Sequence, residues 1–294
     1  MIFVIGGVTA AGKSSLAFKL AKAIGGIIIN ADAYAFYREL NIGTAKPTEE
    51  ELASVPTFLF NNLSISDPYS IYDYQQDVRR LIAIYEQSKR PIILVGGSGL
   101  YIRAALYDYR LSPNIGIVIE DNFEESNASL HQRLTLIDPV AAAKIHPNNR
   151  KRVLRALAIS ENQSRTETNH ERHLKSGPLF PFTMIVLDAL NEVLERRIHE
   201  RTTDMFVSGL RQEVNDICQK YPQNAQGLQA IGYKEILANP SMTDDELIAL
   251  ISLRTRQYAK RQRTFFRHQF SNATWFSDQH EAYLFLIKKY EDSL

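Results

Sequence analysis

Residues 2–30 read IFVIGGVTAAGKSSLAFKLAKAIGGIIIN, and their order decides the fold. The run IFVIG is short, apolar and rich in β-branched residues, as a strand covered on both faces requires. KSSLAFKLAKAI then carries apolar residues at helical spacing, Gly25 and Gly26 stop it, and IIIN begins a second buried strand. Between strand and helix, GGVTAAGKSS (residues 6–15) satisfies G-x-x-x-x-G-K-[ST] at Gly7, Gly12, Lys13 and Ser14. Strand, phosphate loop, helix and strand form the opening βαβ unit of an α/β fold, a parallel sheet of P-loop NTPase type flanked by helices. The backbone amides of Gly7, Val8, Thr9, Ala10, Ala11 and Gly12 and the helix N-terminus make a concave anion site. Lys13 adds a point charge, and the Ser14 hydroxyl is the candidate Mg²⁺ ligand. The chain is therefore expected to bind a di- or triphosphate; the motif leaves open what that phosphate is attached to.

At 294 residues the chain has room for a full-sized core and a smaller insertion. Apolar residues at 45% and charged residues at 23% fit a globular, soluble protein. The single cysteine, Cys218, excludes an internal disulfide framework and a Cys-rich zinc module, and suits the cytoplasm. The apolar N-terminus has no basic region before it and runs straight into the phosphate loop, so it reads as a strand and not a signal peptide. No run approaches the ~18 apolar residues of a membrane span.

Two more buried strands follow, PIILVGG at 91–97 and MIVLDA at 184–189. Between about 112 and 183 the pattern changes to an inserted helical subdomain, leaving 1–111 and 184–294 as the core. Within it, SLHQRLTLIDPVAAAKIHPNNRKRVLRALAIS reads as two helices broken near Pro147, followed by a polar stretch at 162–175. From 191 to 268 the chain reads as mostly helical, with the last long helix from about Asp244 to Arg267. The seven histidines lack metal-ligand spacing; His170 and His173 have no cysteine partners.

Asp32 and Asp188 are the only acids at strand ends. Asp32, just past the second strand, should reach the mouth of the phosphate site, where it could hold a metal or water or act as a general base. The plainer reading is an N-cap for the next helix.

Beyond Asp32 the sequence DAYAFYRELNIGTAKPT and, later, PIILVGGSGLYIRAAL resemble the tRNA dimethylallyltransferases. IDPVAAAKIHPNNRKRVLRAL, AIGYKE and TRQYAKRQRTFFR resemble later blocks of that family in the same order, so the likeness runs from Phe3 to about Arg267. The resemblance implies transfer of the dimethylallyl group of dimethylallyl diphosphate to N6 of an adenine beside the tRNA anticodon, by an Mg²⁺-dependent, typically monomeric enzyme. It implies that residues 7–14 hold the diphosphate, that Asp32 is the base, and that Ser98 takes the place of the family's threonine at the adenine and diphosphate. It also implies tRNA contacts at Asp32, Ala33, Tyr34, Ala35 and Ser98, at Lys151, Arg152 and Arg155, at Gln229, Gly232, Tyr233 and Lys234, and at Lys260, Arg261, Arg263 and Arg267. Departures from the family pattern are Ala33 and Ala35 in the aspartate block, Asn149 for an aspartate and Ala158 for a glutamate. The segment 112–128 is short and lacks an expected arginine.

Charge distribution points the same way. Residues 254–267 carry six basic side chains and no acid, and Arg256, Lys260, Arg263 and Arg267 fall on one helix face. Such a stripe suits a phosphate backbone. Gly232 and Tyr233 also read simply as a turn and a core aromatic. Two rivals remain at this level: a small-molecule P-loop kinase, and a tRNA-binding homologue with impaired catalysis.

Overall fold

The computed structural model describes residues 1–109, 111, 124–162 and 177–294. Residues 112–123, most of the shortened segment, and 163–176, with His170 and His173, lie outside the described residues. The chain divides into two compact units, Met1–Tyr107 with Pro178–Leu294, and Asp108–Gly177.

The larger unit is built on a parallel sheet, as the opening stretch predicts. Strands β1 (Ile2–Gly7) and β2 (Ile27–Asn30) flank helix α1 (Lys13–Ile24). Helix α2 (Glu49–Ser54), strand β3 (Thr57–Phe58) and helix α3 (Ile71–Gln87) lead to β4 (Ile92–Val95) and α4 (Gly99–Leu106). After the smaller unit come β5 (Phe182–Leu187), α8 (Asn191–Val207), α9 (Leu210–Lys220), α10 (Tyr233–Ala238), α11 (Asp244–Gln269), β6 (Thr274–Phe276) and α12 (Gln279–Glu291). The strand order is β3-β2-β4-β1-β5-β6 and every pairing is parallel.

In β1 the alternation of side chains serves two cores at once. Phe3 and Ile5 pack with α1 and α12 on one face, Ile2 and Val4 with α3 and α4 on the other. This explains the unbroken apolar run, since neither face is left for water. A third core, around Tyr37, Leu210, Leu228 and Tyr233, joins the segment after β2 to α9, α10 and α11.

Helices α2, α3, α4 and α12 and strands β3 and β6 escaped the sequence reading. β3 and β6 are edge strands of two and three residues, too short for periodicity to register. Helix α11 keeps the bounds expected for the last long helix, and the shorter α12 follows it and packs its buried Ala282 and Leu286 beside α1.

The smaller unit holds three described helices where two were expected: α5 (Asn127–Ile137), α6 (Pro139–Lys144) and α7 (Arg150–Asn162). The extra break falls at Asp138, whose side chain caps α6 by accepting from Ala141 N while Pro139 occupies the first helical position. Leu130, Leu134, Val153, Leu154 and Leu157 form its core.

The phosphate loop leaves the sheet at Gly7, with φ +138°, and a Cβ there would lie 2.1 Å from Leu187 O. Gly7→Ala is expected to cost about 2–3 kcal/mol, from backbone strain plus that collision. Thermal unfolding checks this; an unchanged Tm would mean the loop relaxes without loss.

Candidate active site

Three chain reversals meet at the carboxyl ends of adjacent strands, the usual place for a ligand in an open α/β sheet. The first is the phosphate loop between β1 and α1. Gly12, at φ +84°, turns the chain into α1 and leaves the helix N-terminus aimed at the loop's concavity. Lys13 Nζ donates to Val8 O at 2.7 Å, spanning the loop from within. Ser14, one residue on, is exposed.

The second reversal follows β2. Asn30 is 1% exposed, and its carboxamide accepts from Asp32 N (2.8 Å) while donating to Asp32 O (3.0 Å) and Leu59 O (2.9 Å). This clamp fixes the backbone of Asp32. The carboxylate does not cap a following helix, since the next helix begins at Glu49; Oδ1 accepts from Tyr34 N at 3.1 Å. The third reversal follows β4. Ser98 N donates to Ala31 O (3.1 Å), and Ser98 Oγ accepts from Ala33 N (3.2 Å). Ser98 thus gives no side-chain cap to α4, and its hydroxyl lies abreast of the aspartate segment.

Helix α11 locks the loops together. Gln262, 5% exposed, accepts from Thr9 N at 2.9 Å and donates to Gly97 O at 3.0 Å. One turn earlier the phenol of Tyr258 reaches both Ser98 and Gln262; burial, with the charge of Asp32 adding, holds it well above the usual tyrosine range. From α8, Arg201 Nη2 donates to Thr9 Oγ1 at 2.9 Å, while its Nε is buried with no hydrogen-bond partner.

Lys13, Arg201 and Asp32 share one electrostatic field. Burial lowers the Lys13 pKa from 10.5 to about 8, opposed by the Asp32 charge and reinforced by Arg201. Burial also lowers the pKa of Arg201, again opposed by Asp32. Two cations, hydrogen-bonded to neutral oxygens of the loop, are therefore held beside a carboxylate and a hydroxyl. Because the lowered pKa means the amine loses its proton as pH rises through about 8, inorganic pyrophosphate should bind well below that pH. Above it, affinity is expected to fall by about tenfold per pH unit. Calorimetric titration between pH 7 and 10 checks this, and a flat profile would refute it.

A family model described as IPP transferase matches residues 35–269. The chain belongs to that family. It is 38% identical over 284 residues to the tRNA dimethylallyltransferase of Bacillus subtilis, covering 94% of this chain and 90% of that protein. Its likeness to the Geobacillus thermodenitrificans tRNA dimethylallyltransferase is 37% over 295 residues, covering 98% and 93%. A tRNA delta(2)-isopentenylpyrophosphate transferase from Staphylococcus epidermidis superposes with a TM-score of 0.73 at 28% identity, covering 100% and 99%. A eukaryotic dimethylallyltransferase acting on tRNA gives 0.76 at 26%, covering 90% of this chain and 69% of that one.

The residues that the resemblance places at the tRNA differ in exposure and in their partners. Arg263 forms a two-pronged pair with Asp188 (2.6 and 2.7 Å) and also donates to Asn191 Oδ1 and Ala189 O, while Arg256 pairs with Glu195 at 2.9 Å. The stripe looked purely basic because its acids lie far off in sequence, at the end of β5 and on α8. Lys260, Arg261 and Arg267 remain exposed, Arg267 over the Trp275 ring. Tyr233 is fully buried, donating to Glu213 Oε1 at 2.5 Å, so the core reading is the correct one for it. Gly232 is buried as well, whereas Gln229 and Lys234 are exposed. Of the aspartate block, Ala35 is buried and its carbonyl accepts from Asn61 N, while Ala33 and Tyr34 are half-buried. In the smaller unit Lys151, Arg152 and Arg155 are exposed, and their helix is anchored by Val153, Leu154 and Leu157.

Asn30, Arg201, Tyr258 and Gln262 were not singled out from sequence. Asn30 had a signal, a lone amide closing an apolar strand. Gln262 had one too, lying on the same helix face as buried Ala259 and Phe266. Nothing near Arg201 in sequence hints at a loop 192 residues away.

Proposed function

We propose that this protein transfers the dimethylallyl group of dimethylallyl diphosphate to N6 of adenine 37, beside the anticodon of tRNA. The observation that carries the reading is the pairing of a cation-lined phosphate loop with Asp32 and Ser98. A leaving group that gains charge needs the first, and an amine that loses a proton needs the second. The C1–O bond of the allylic diphosphate breaks and its electron pair departs with the diphosphate, where Lys13, Arg201 and the loop amides stabilise it. The adenine N6 bonds to C1, and its proton passes to the Asp32 carboxylate. Ser98, its Oγ accepting from Ala33 N and within reach of the Tyr258 phenol, presents its hydroxyl beside the aspartate.

Mg²⁺ fits this site only as a partner of the substrate. Among the described residues no group of three metal-ligating side chains occurs. The exposed Ser14 hydroxyl is a hard oxygen donor beside the loop, the setting in which Mg²⁺ keeps waters and takes phosphate oxygens. When bound it would add positive charge at the diphosphate.

The tRNA backbone is assigned to exposed Lys260, Arg261 and Arg267 and to Lys151, Arg152 and Arg155. The reading further takes the enzyme to be a cytoplasmic monomer; among the described residues, no helix is long and apolar enough to cross a membrane. The kinase reading loses its spare strand-end acid, because Asp188 is committed to Arg263. Incubation with dimethylallyl diphosphate and unmodified tRNA, followed by mass spectrometry of nucleosides, is the test. N6-dimethylallyladenosine is expected; tRNA binding without product, or phosphate transfer from ATP to a small acceptor, would overturn the proposal.

A further inference from the structure

Helix α8 brings a second arginine to the phosphate loop. Leu194, Ile198, Thr202 and Met205 are buried and fix the helix. Arg197 and Arg201, four residues apart, then share the face that meets the loop. Arg201 reaches Thr9 Oγ1, and Arg197 Nη1 lies 3.5 Å from the carbonyl oxygen of the next residue, Ala10. That contact is long for a hydrogen bond and leaves the guanidinium uncommitted. Arg197 is exposed and has no carboxylate partner among the described residues, although its neighbour Arg196 pairs with Glu200 at 3.9 Å. Like charges at this spacing repel each other in the helix, and an anion between them removes the repulsion. A diphosphate has two phosphoryl groups, and the loop's cations form an inner set, Lys13 with Arg201, and an outer one.

We propose that Arg197 is a diphosphate-binding residue that holds the phosphoryl group nearer solvent, while Lys13 and Arg201 hold the inner one. This rests on the reading that the loop takes a prenyl diphosphate. A guanidinium binds phosphate oxygens in a planar, two-pronged fashion that an ammonium cannot copy. Arg197 therefore sets the preference of the site for two linked phosphoryl groups over one, and slows the escape of pyrophosphate after transfer.

The test compares inorganic pyrophosphate with orthophosphate by calorimetry on the full chain, with Arg197→Ala, Arg197→Lys and Lys13→Ala. Arg197→Ala is expected to weaken pyrophosphate binding by about tenfold while orthophosphate changes less than twofold. Arg197→Lys should recover only part of the loss, and Lys13→Ala should weaken both ligands. The KM for dimethylallyl diphosphate should rise in step with the pyrophosphate Kd of Arg197→Ala. If Arg197→Ala binds pyrophosphate within twofold of the parent while Lys13→Ala does not, the assignment of Arg197 is wrong and the loop reading stands. If Lys13→Ala also binds normally, the loop reading falls and this inference with it.

Discussion

Asp32→Asn is expected to lower the rate of prenyl transfer by about 10²–10⁴-fold, the usual worth of a positioned general base. The substitution isolates the proton-accepting role. Asparagine has nearly the same shape, and its Oδ1 can still accept from Tyr34 N as the carboxylate does. The Asn30 clamp holds the backbone at this position and does not involve the side chain. What disappears is the capacity to take the N6 proton. A second signature follows from the electrostatics. The Asp32 charge raises the pKa of Lys13, so its removal should move the alkaline limb of pyrophosphate binding below pH 8. Single-turnover formation of N6-dimethylallyladenosine, scored by mass spectrometry, gives the rate. A loss smaller than threefold would remove Asp32 from the chemistry.

Lys13→Ala is expected to reduce kcat/KM for the diphosphate substrate by about 10³-fold, comparable to deleting one preorganised donor to a developing anion. The loop amides and Arg201 remain, so the residual activity should exceed background. The stability effect should run the other way. The folded pKa of Lys13 is below its unfolded value, so the folded state holds the proton less tightly and the charged amine costs stability at pH values below about 8. Lys13→Ala should therefore melt at the same temperature as the parent or higher at pH 7, despite losing the bond to Val8 O. A steady-state assay with a thermal melt reads both. A variant that is active but unstable would make Lys13 a structural residue.

The sheet was legible because each of its central strands is covered on both faces, which leaves a continuous apolar run in the sequence. Ile2–Gly7 and Ile27–Asn30 are of this kind. The edge strands Thr57–Phe58 and Thr274–Phe276 bury little, so no pattern marks them. In the same way, the phosphate loop was legible because its geometry is made by consecutive residues, with glycines at the bends. Asp32 was found as an acid just past a buried strand, and Ser98 from the family block around it. Their juxtaposition depends on the pairing of β2 with β4, which sets Asn30 opposite Val95. The charge stripe on α11 was misjudged for the complementary reason: a run without acids says nothing of Asp188 and Glu195, which fold against it from elsewhere.

By itself, then, the sequence determined the parallel α/β core, the glycine-bent loop between β1 and α1 and the family, because these follow from local periodicity and from contiguous motifs. Only the tertiary structure decided which groups complete the site. Arg201 and Arg197 come from α8, Gln262 and Tyr258 from α11, and Asn30 works through three hydrogen bonds invisible in a linear reading. It also gave Arg263 and Tyr233 partners inside the protein that the linear sequence does not show. The physical reason is the same in each case. A side chain's chemistry is set by its charge partners and its access to water, and both are contributed by residues distant in the chain.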